Sequence, residues 1–334
     1  MNFNKLKLRK LWLCLMLLVG TTAIAVPALQ EIAADDDTTT QIGSLNDLIA
    51  FRDAVNGGNN YSGKTVELTA DIDMSGINWV PIGNGGGTAA GFCGTFNGNS
   101  HTISNLKSHN ETFAGLFGSF YGYINDLTLT NVNIESTHYA GGIGAWLGSE
   151  NGKVINNCKV SGGTITSKPE IVNGSYDNGD KVGGILGYLT SKDQVTNCSV
   201  EDVTIQGYRD LGGIVGIANS TATVSGCSVS NVTIIQDNLN GYWTYAEVKN
   251  LAQAIAGRVS ANANLTENTY SNVTIRHINF GVAKIDDEEY ETLAEAVTAA
   301  TENAVIEVIK PGEYTLPNLP KNVTIEGKVG GGNF

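Results

Sequence analysis

The sequence predicts an all-β fold, a parallel β-helix built from stacked short-stranded coils, and three observations carry that expectation. First, Leu211–Ile234, LGGIVGIANSTATVSGCSVSNVTI, has copies at Phe113–Ile134, Ala140–Ile165, Val182–Ile205 and, most diverged, Ala252–Ile275. Self-similarity at this spacing marks architectures whose repeats stack. Second, aligning the copies forms apolar columns. Ile124, Leu127 and Leu129 fall over Ile155, Cys158 and Val160, then Val195, Cys198 and Val200, then Val224, Cys227 and Val229. Third, the apolar runs are short, separated by bends, and have no helix between them, which argues against an α/β fold. One unit cannot bury its apolar side, whereas stacked units can. Each unit is expected to offer three short strands, and five to seven coils at about 4.8 Å spacing make a rod of roughly 25–35 Å. A β-propeller competes, but its blades would need four antiparallel strands each.

Residues 1–25 read as an export signal: Lys5, Lys7, Arg9 and Lys10 precede the apolar Leu11–Gly20, and Ala23-Ile24-Ala25 supplies a cleavage pattern. Residues 26–40, with Asp35–Asp37 and Thr38–Thr40, read as a flexible leader. A β-helix then spans 41–278. It opens with a helix from Leu45 to Val55, capped by Ser44 and Asp47 and stopped by Asn56-Gly57-Gly58, with Leu45, Leu48, Ile49 and Val55 on one face. That helix suits a lid over an open sheet edge. Thr65–Met74 alternates like one half-buried strand, and residues 79–106 form the opening coils. The column Asn131, Asp202, Asn231 and Asn272, with Gly162 in the remaining copy, fits a bend in left-handed geometry. Residues 279–334 repeat the opening layout, with Thr292 and Glu295 capping a helix and NVTIEG as a later strand. They read as the start of a second, truncated β-helix.

Charge and cysteines narrow the function. Losing the four basic residues of the signal takes the net charge from −13 to −17. So acidic a chain repels nucleic acid and anionic lipid, and no membrane insertion is expected after cleavage. Cys158, Cys198 and Cys227 share a column with Leu127, so they read as buried thiols rather than disulfides, whose geometry suits parallel stacked side chains badly.

Two insertions, residues 167–180 and 236–250, leave the same edge of the stack, where Tyr139, Tyr176, Tyr208, Tyr242, Trp243 and Tyr245 gather. Aromatic rings combine apolar faces with polar rims, so these six are the candidate ligand-binding residues. Other motifs are bland. Gly58–Thr65 spells G-x-x-x-x-G-K-T, but lies between a helix and a strand, the reverse of what phosphate binding at a helix N-terminus needs. Asp71 and Asp73 share a strand face and read as solvated rather than calcium-binding. The four histidines show no ligand spacing, so neither metal nor cofactor is expected. Glu170, Asp177, Asp180 and Glu247 lie in the insertions and could converge, but loop acids on an acidic chain mainly keep it soluble.

With Gly115-Leu116-Phe117-Gly118, the G-G-I-x-G versions at 183–187 and 212–216, and GTFNGNSHTISNL from Gly94 in view, the chain resembles the GLUG-motif repeat proteins of bacterial surfaces over about residues 41–275. The resemblance implies a right-handed parallel β-helix serving as an adhesin-like module, in some proteins joined to peptidases such as IgA-cleaving metalloproteases. Residues 281–327 are similar to the start of pectin-lyase-like β-helices. Neither resemblance brings a catalytic motif, and H-E-x-x-H is absent. The expectation is therefore a non-enzymatic, exported, extracellular or cell-surface module binding a glycan or host protein through its insertions. A polysaccharide-cleaving enzyme and a plain spacer are the alternatives.

Overall fold

The computed structural model describes residues 39–84, 91–149, 151–168, 181–237, 252–278, 283–286, 288–290, 292–309, 318–319 and 322–327, with the backbone of 171–172 and 175–176. The expected signal, and the leader up to Thr38, lie outside these residues. Thr39 and Thr40, expected in the flexible leader, instead begin a strand, Thr39–Ile42, paired in parallel with Thr65–Leu68.

From Phe113 each coil runs through four faces. Face one holds Phe113–Ala114, Tyr139–Gly141, Lys181–Gly183, Leu211–Gly212 and Ala252–Gln253; face two holds Phe117–Phe120, Gly144–Leu147, Leu186–Leu189, Val215–Ala218 and Ala256–Val259. Face three is an eight-stranded sheet from Thr39–Ile42 to Asn264–Thr266, and face four is ten-stranded. Neighbours within every face pair in parallel, which excludes the propeller. The coil thus has four faces rather than three strands. The C-x-V segment and the V-T-I end run as one bent strand in Thr128–Ser136, Lys159–Ser167 and Ser199–Gly207.

The expected columns form in register: Ile124, Ile155, Val195, Val224 and Leu265 on face three, and Ile134, Ile165, Ile205, Ile234 and Ile275 on face four. All but the last of each are fully buried. Asn131, Asp202, Asn231 and Asn272 take φ of 50–56° and Gly162 76°, so the bend column is left-handed as read. Asparagine side chains there hydrogen-bond between coils, Asn131 Nδ2 to Asn105 Oδ1 at 2.6 Å and Asn272 Nδ2 to Asn231 Oδ1 at 3.0 Å. A second left-handed column, Asp126, Asn157, Asn197, Gly226 and Glu267, turns the chain from face three to face four. Cys158, Cys198 and Cys227 are free, buried thiols.

The Gly-Gly pair has a packing reason. A Cβ on Gly184 would lie 2.3 Å from the carbonyl oxygen of Gly213, and one on Gly213 2.1 Å from that of Ala254. The corner from face one to face two therefore presses each coil's backbone onto the next. The last copy carries Gln253-Ala254 there, in the coil with no successor on these faces.

Helix α1, Leu45–Asn56, is capped by the Ser44 hydroxyl accepting from the Asp47 amide at 3.3 Å, while Asp47 accepts from the Gly43 amide at 3.2 Å. It buries Leu48, Phe51 and Val55, with Leu45 and Ile49 packed at the rim. Phe51 meets Tyr61, Phe92 and Phe96 at ring-centroid distances of 5.0, 5.5 and 5.9 Å. The helix thus covers the first end of the core. The expected single strand Thr65–Met74 is two, Thr65–Leu68 and Ile72–Asp73. Asp71 occupies the bend between them, held by the Thr102 amide at 2.9 Å and by His101 at 3.1 Å. Val66, Leu68, Ile72 and Met74 remain buried as the alternation requires.

Residues 283–327 hold a separate core of Ala283, Leu293, Ala296, Val297, Ile306, Val308 and Val323. Helix α2, Leu293–Ala299, has the reciprocal Thr292–Glu295 capping box. Val305–Val308 pairs in parallel with Thr324–Gly327 and antiparallel with Ala283–Ile285, which also forms a hairpin with Glu288–Tyr290. That hairpin has no counterpart among the described residues of the opening segment.

Candidate functional site

Both insertions leave the corner between face four and face one, with one coil between them: Ser167 leads to Lys181, and Asp237 to Ala252. The coil between turns tightly through Tyr208-Arg209-Asp210. Of the six rings predicted to gather there, Tyr139 is half-buried on this corner. Tyr176 lies in a short antiparallel pair with Ile171–Val172 and is described in backbone only. Tyr242, Trp243 and Tyr245 fall outside the described residues. Tyr208 corrects the expectation. It is 3% exposed and so presents almost no surface to a ligand.

The structure adds rings that the corner pattern did not reveal. In face one, Tyr139 stands beside Phe113 and Lys181; in face two, Trp146 stands between Ser119 and Tyr188, followed by Ile217 and Arg258. These outward positions of two adjoining faces form one panel. Tyr139 stacks on Phe113 at 5.2 Å and near-parallel to Trp146 at 6.2 Å, with 16° between planes. Tyr188 meets Tyr139 and Trp146 edge-on at 6.1 and 6.2 Å. Lys181 Nζ sits 4.7 Å from the Tyr139 ring centre, a cation–π contact that fixes the ring. Tyr139, Trp146 and Tyr188 all keep part of their surface in solvent.

Two concavities flank the panel. On the corner, a cleft of about 550 Å³ is lined by His109, Glu111, Glu135, Thr137 and Lys168. Glu135 there pairs with Lys168 at 2.8 Å. Toward the later coils, a smaller one of about 260 Å³ is lined by Lys181, Tyr188, Arg209, Asn219 and Arg258 among others. Asp210 lies fully buried beneath it and accepts from Arg258 Nε at 2.9 Å, from Arg258 Nη2 and from Arg209 Nε at 3.5 Å. The Tyr188 hydroxyl accepts from Asn219 Nδ2 at 2.9 Å.

The panel could have been found from one column. Trp146, Tyr188, Ile217 and Arg258 occupy the same place after the glycines in successive copies, a position held by bulky side chains that is part-exposed at Trp146, Tyr188 and Arg258 and buried at Ile217. Elsewhere the acids are accounted for locally. The Thr102 amide and the His101 ring hold the Asp71 carboxyl below the usual range, and Asn105 and Ser75 do the same for Asp73. Gly58 and Gly63 have positive φ between α1 and a strand, so no helix follows to receive a phosphate. Among the described residues no group of three His, Cys, Asp or Glu could hold a metal ion. None of their helices is long and apolar enough to cross a membrane.

No protein-family profile matches the chain. Halomucin of Haloquadratum walsbyi is 32% identical over 166 residues, which is 46% of this chain. The chain spans 2% of halomucin's own length. A solved structure from Bacteroides ovatus, provisionally assigned as an immunoglobulin A1 protease, aligns over 86% of this chain and 83% of its own, at 16% identity and a TM-score of 0.46.

Proposed function

We propose that the chain is a non-enzymatic surface module, a right-handed β-helix of GLUG type exported from the cell, that binds a glycan on the panel of Tyr139, Trp146 and Tyr188. The observation that carries this reading is the ring arrangement. Three part-exposed aromatic rings from adjacent coils lie within about 6 Å of one another, and polar side chains line concavities on both sides. Sugar rings offer apolar faces with hydroxyl rims, and such a surface suits them. The stretch shared with halomucin, a mucin by name, supports an exterior role. Both insertions leave the corner that bears Tyr139 and would add contacts of their own.

The test is binding of the full chain to a panel of neutral and acidic glycans, beside a Tyr139→Ala/Trp146→Ala variant and a variant with both insertions trimmed. Binding weakened at least tenfold by the ring substitutions supports the panel. Binding lost only on trimming moves the site to the insertions. No binding by any version favours the spacer, and release of sugar favours the enzyme.

A further inference from the structure

The net charge of this chain is −13, yet three of its 20 lysines and arginines, Lys181, Arg209 and Arg258, line one concavity at the end of the ring panel. We infer that this concavity is a subsite for an acidic sugar, one bearing a carboxylate or a sulfate; the inference rests on the glycan-binding reading above.

The arrangement begins at Asp210. This residue is fully buried in the short corner between the insertions, with φ of 54°. A buried carboxylate requires a charged or hydrogen-bonding partner, and here Arg258 reaches it with both Nε and Nη2. Two bonds to one carboxylate lock the plane of a guanidinium. The lock leaves Nη1 uncommitted among the described residues, on a side chain that is 41% exposed and lines the concavity. Arg258 is thus held in advance, so a ligand need not order it on binding. Lys181 and Arg209 add positive charge to the same wall. The Tyr188 hydroxyl and Asn219 amide, already bonded to each other, stand beside it where sugar hydroxyls would lie. Planar, bidentate recognition is what guanidinium groups provide for carboxylate and sulfate alike.

The strongest competing account is that Arg258 only neutralises Asp210, and binding measurements separate the two. The full chain is titrated at low salt with polygalacturonate and its fully methyl-esterified form, and with dextran sulfate and dextran. The pairs differ within each backbone only in charge, and their comparison distinguishes carboxylate from sulfate. The expected result is a preference of about tenfold or more for one acidic form. That preference falls with salt, and Arg258→Gln brings the affinities for the acidic and neutral forms within about twofold of each other. Because Arg258→Gln strips a buried carboxylate of its partner, Arg209→Gln and the double variant Asp210→Asn/Arg258→Gln are measured alongside, each after a check that thermal unfolding remains cooperative. Their loss of the preference supports the subsite. Equal affinity for acidic and neutral forms overturns the subsite and leaves the glycan reading standing. Absence of binding to every polymer, with a folded protein, overturns both.

Discussion

At the scale of single residues, the glycines and cysteines state what the stack demands. Gly162 and Gly163 both have positive φ, 76° and 105°, where the neighbouring coils spend one left-handed residue and then place Val132 and Val203 in the core. A Cβ on Gly163 would lie 2.0 Å from the Val132 carbonyl oxygen. Gly163→Ala is therefore expected to destabilise by more than about 1 kcal/mol despite filling an apolar column, read as a lower urea midpoint. An unchanged or raised midpoint would mean that this coil relaxes to its neighbours' geometry. The thiols give a second test. Burial pushes Cys198 well up; Cys227 also rises, through its bond to Cys198 and then burial. Thiolate is the reactive form. Maleimide followed by mass spectrometry should label half-exposed Cys93 slowly and leave Cys158, Cys198 and Cys227 unlabelled until the protein unfolds. Their rapid labelling in the native state would contradict the buried column.

At the scale of elements, the two ends of the stack differ. Helix α1 closes the first end with Leu48, Phe51 and Val55, whereas the last coil leaves Val259 46% and Tyr270 66% exposed. Phe51→Ala is expected to cost about 3–5 kcal/mol and to weaken the cover over the edge strand Thr39–Ile42, so that urea unfolding shifts down and aggregation on storage increases. A loss under about 1 kcal/mol would show that the helix rests on the stack without holding it. Much of this was legible in sequence. Ser44, Asp47 and the spacing of apolar residues marked the helix, and Asn131, Asp202 and Asn231 marked one bend. The bend at Asp126, Asn157, Asn197, Gly226 and Glu267 carries the same Asn, Asp and Gly signal in four of its five coils and was open to the same reading; only Glu267 departs from the left-handed preference. Thr65–Met74 looked continuous because alternation persists across a bend whose hydrogen bonds come from Thr102, some thirty residues away.

At the scale of the whole chain, the repeat decides which residues become neighbours. Tyr188 is far in sequence from Tyr139 and Trp146, yet the register of faces one and two sets the three side by side. Sequence alone located the corner but chose its rings by proximity to the insertions. It therefore included Tyr208, which is buried, and missed Trp146 and Tyr188, whose shared column lies away from the insertions and which the pairing of Gly144–Leu147 with Leu186–Leu189 sets side by side. On an acidic chain, the proposed acidic-sugar subsite falls where Lys181, Arg209 and Arg258 line one concavity at the end of the panel.

Hydroxyl-radical footprinting with and without the best-binding glycan tests the central claim most directly, because it reads the side chains themselves. The account predicts that oxidation of Tyr139, Trp146 and Tyr188 falls several-fold on binding, while Tyr270, 66% exposed in the last coil, is oxidised as before. Protection confined to residues 169–180 and 238–251, with the three rings as reactive as in the free protein, would contradict it.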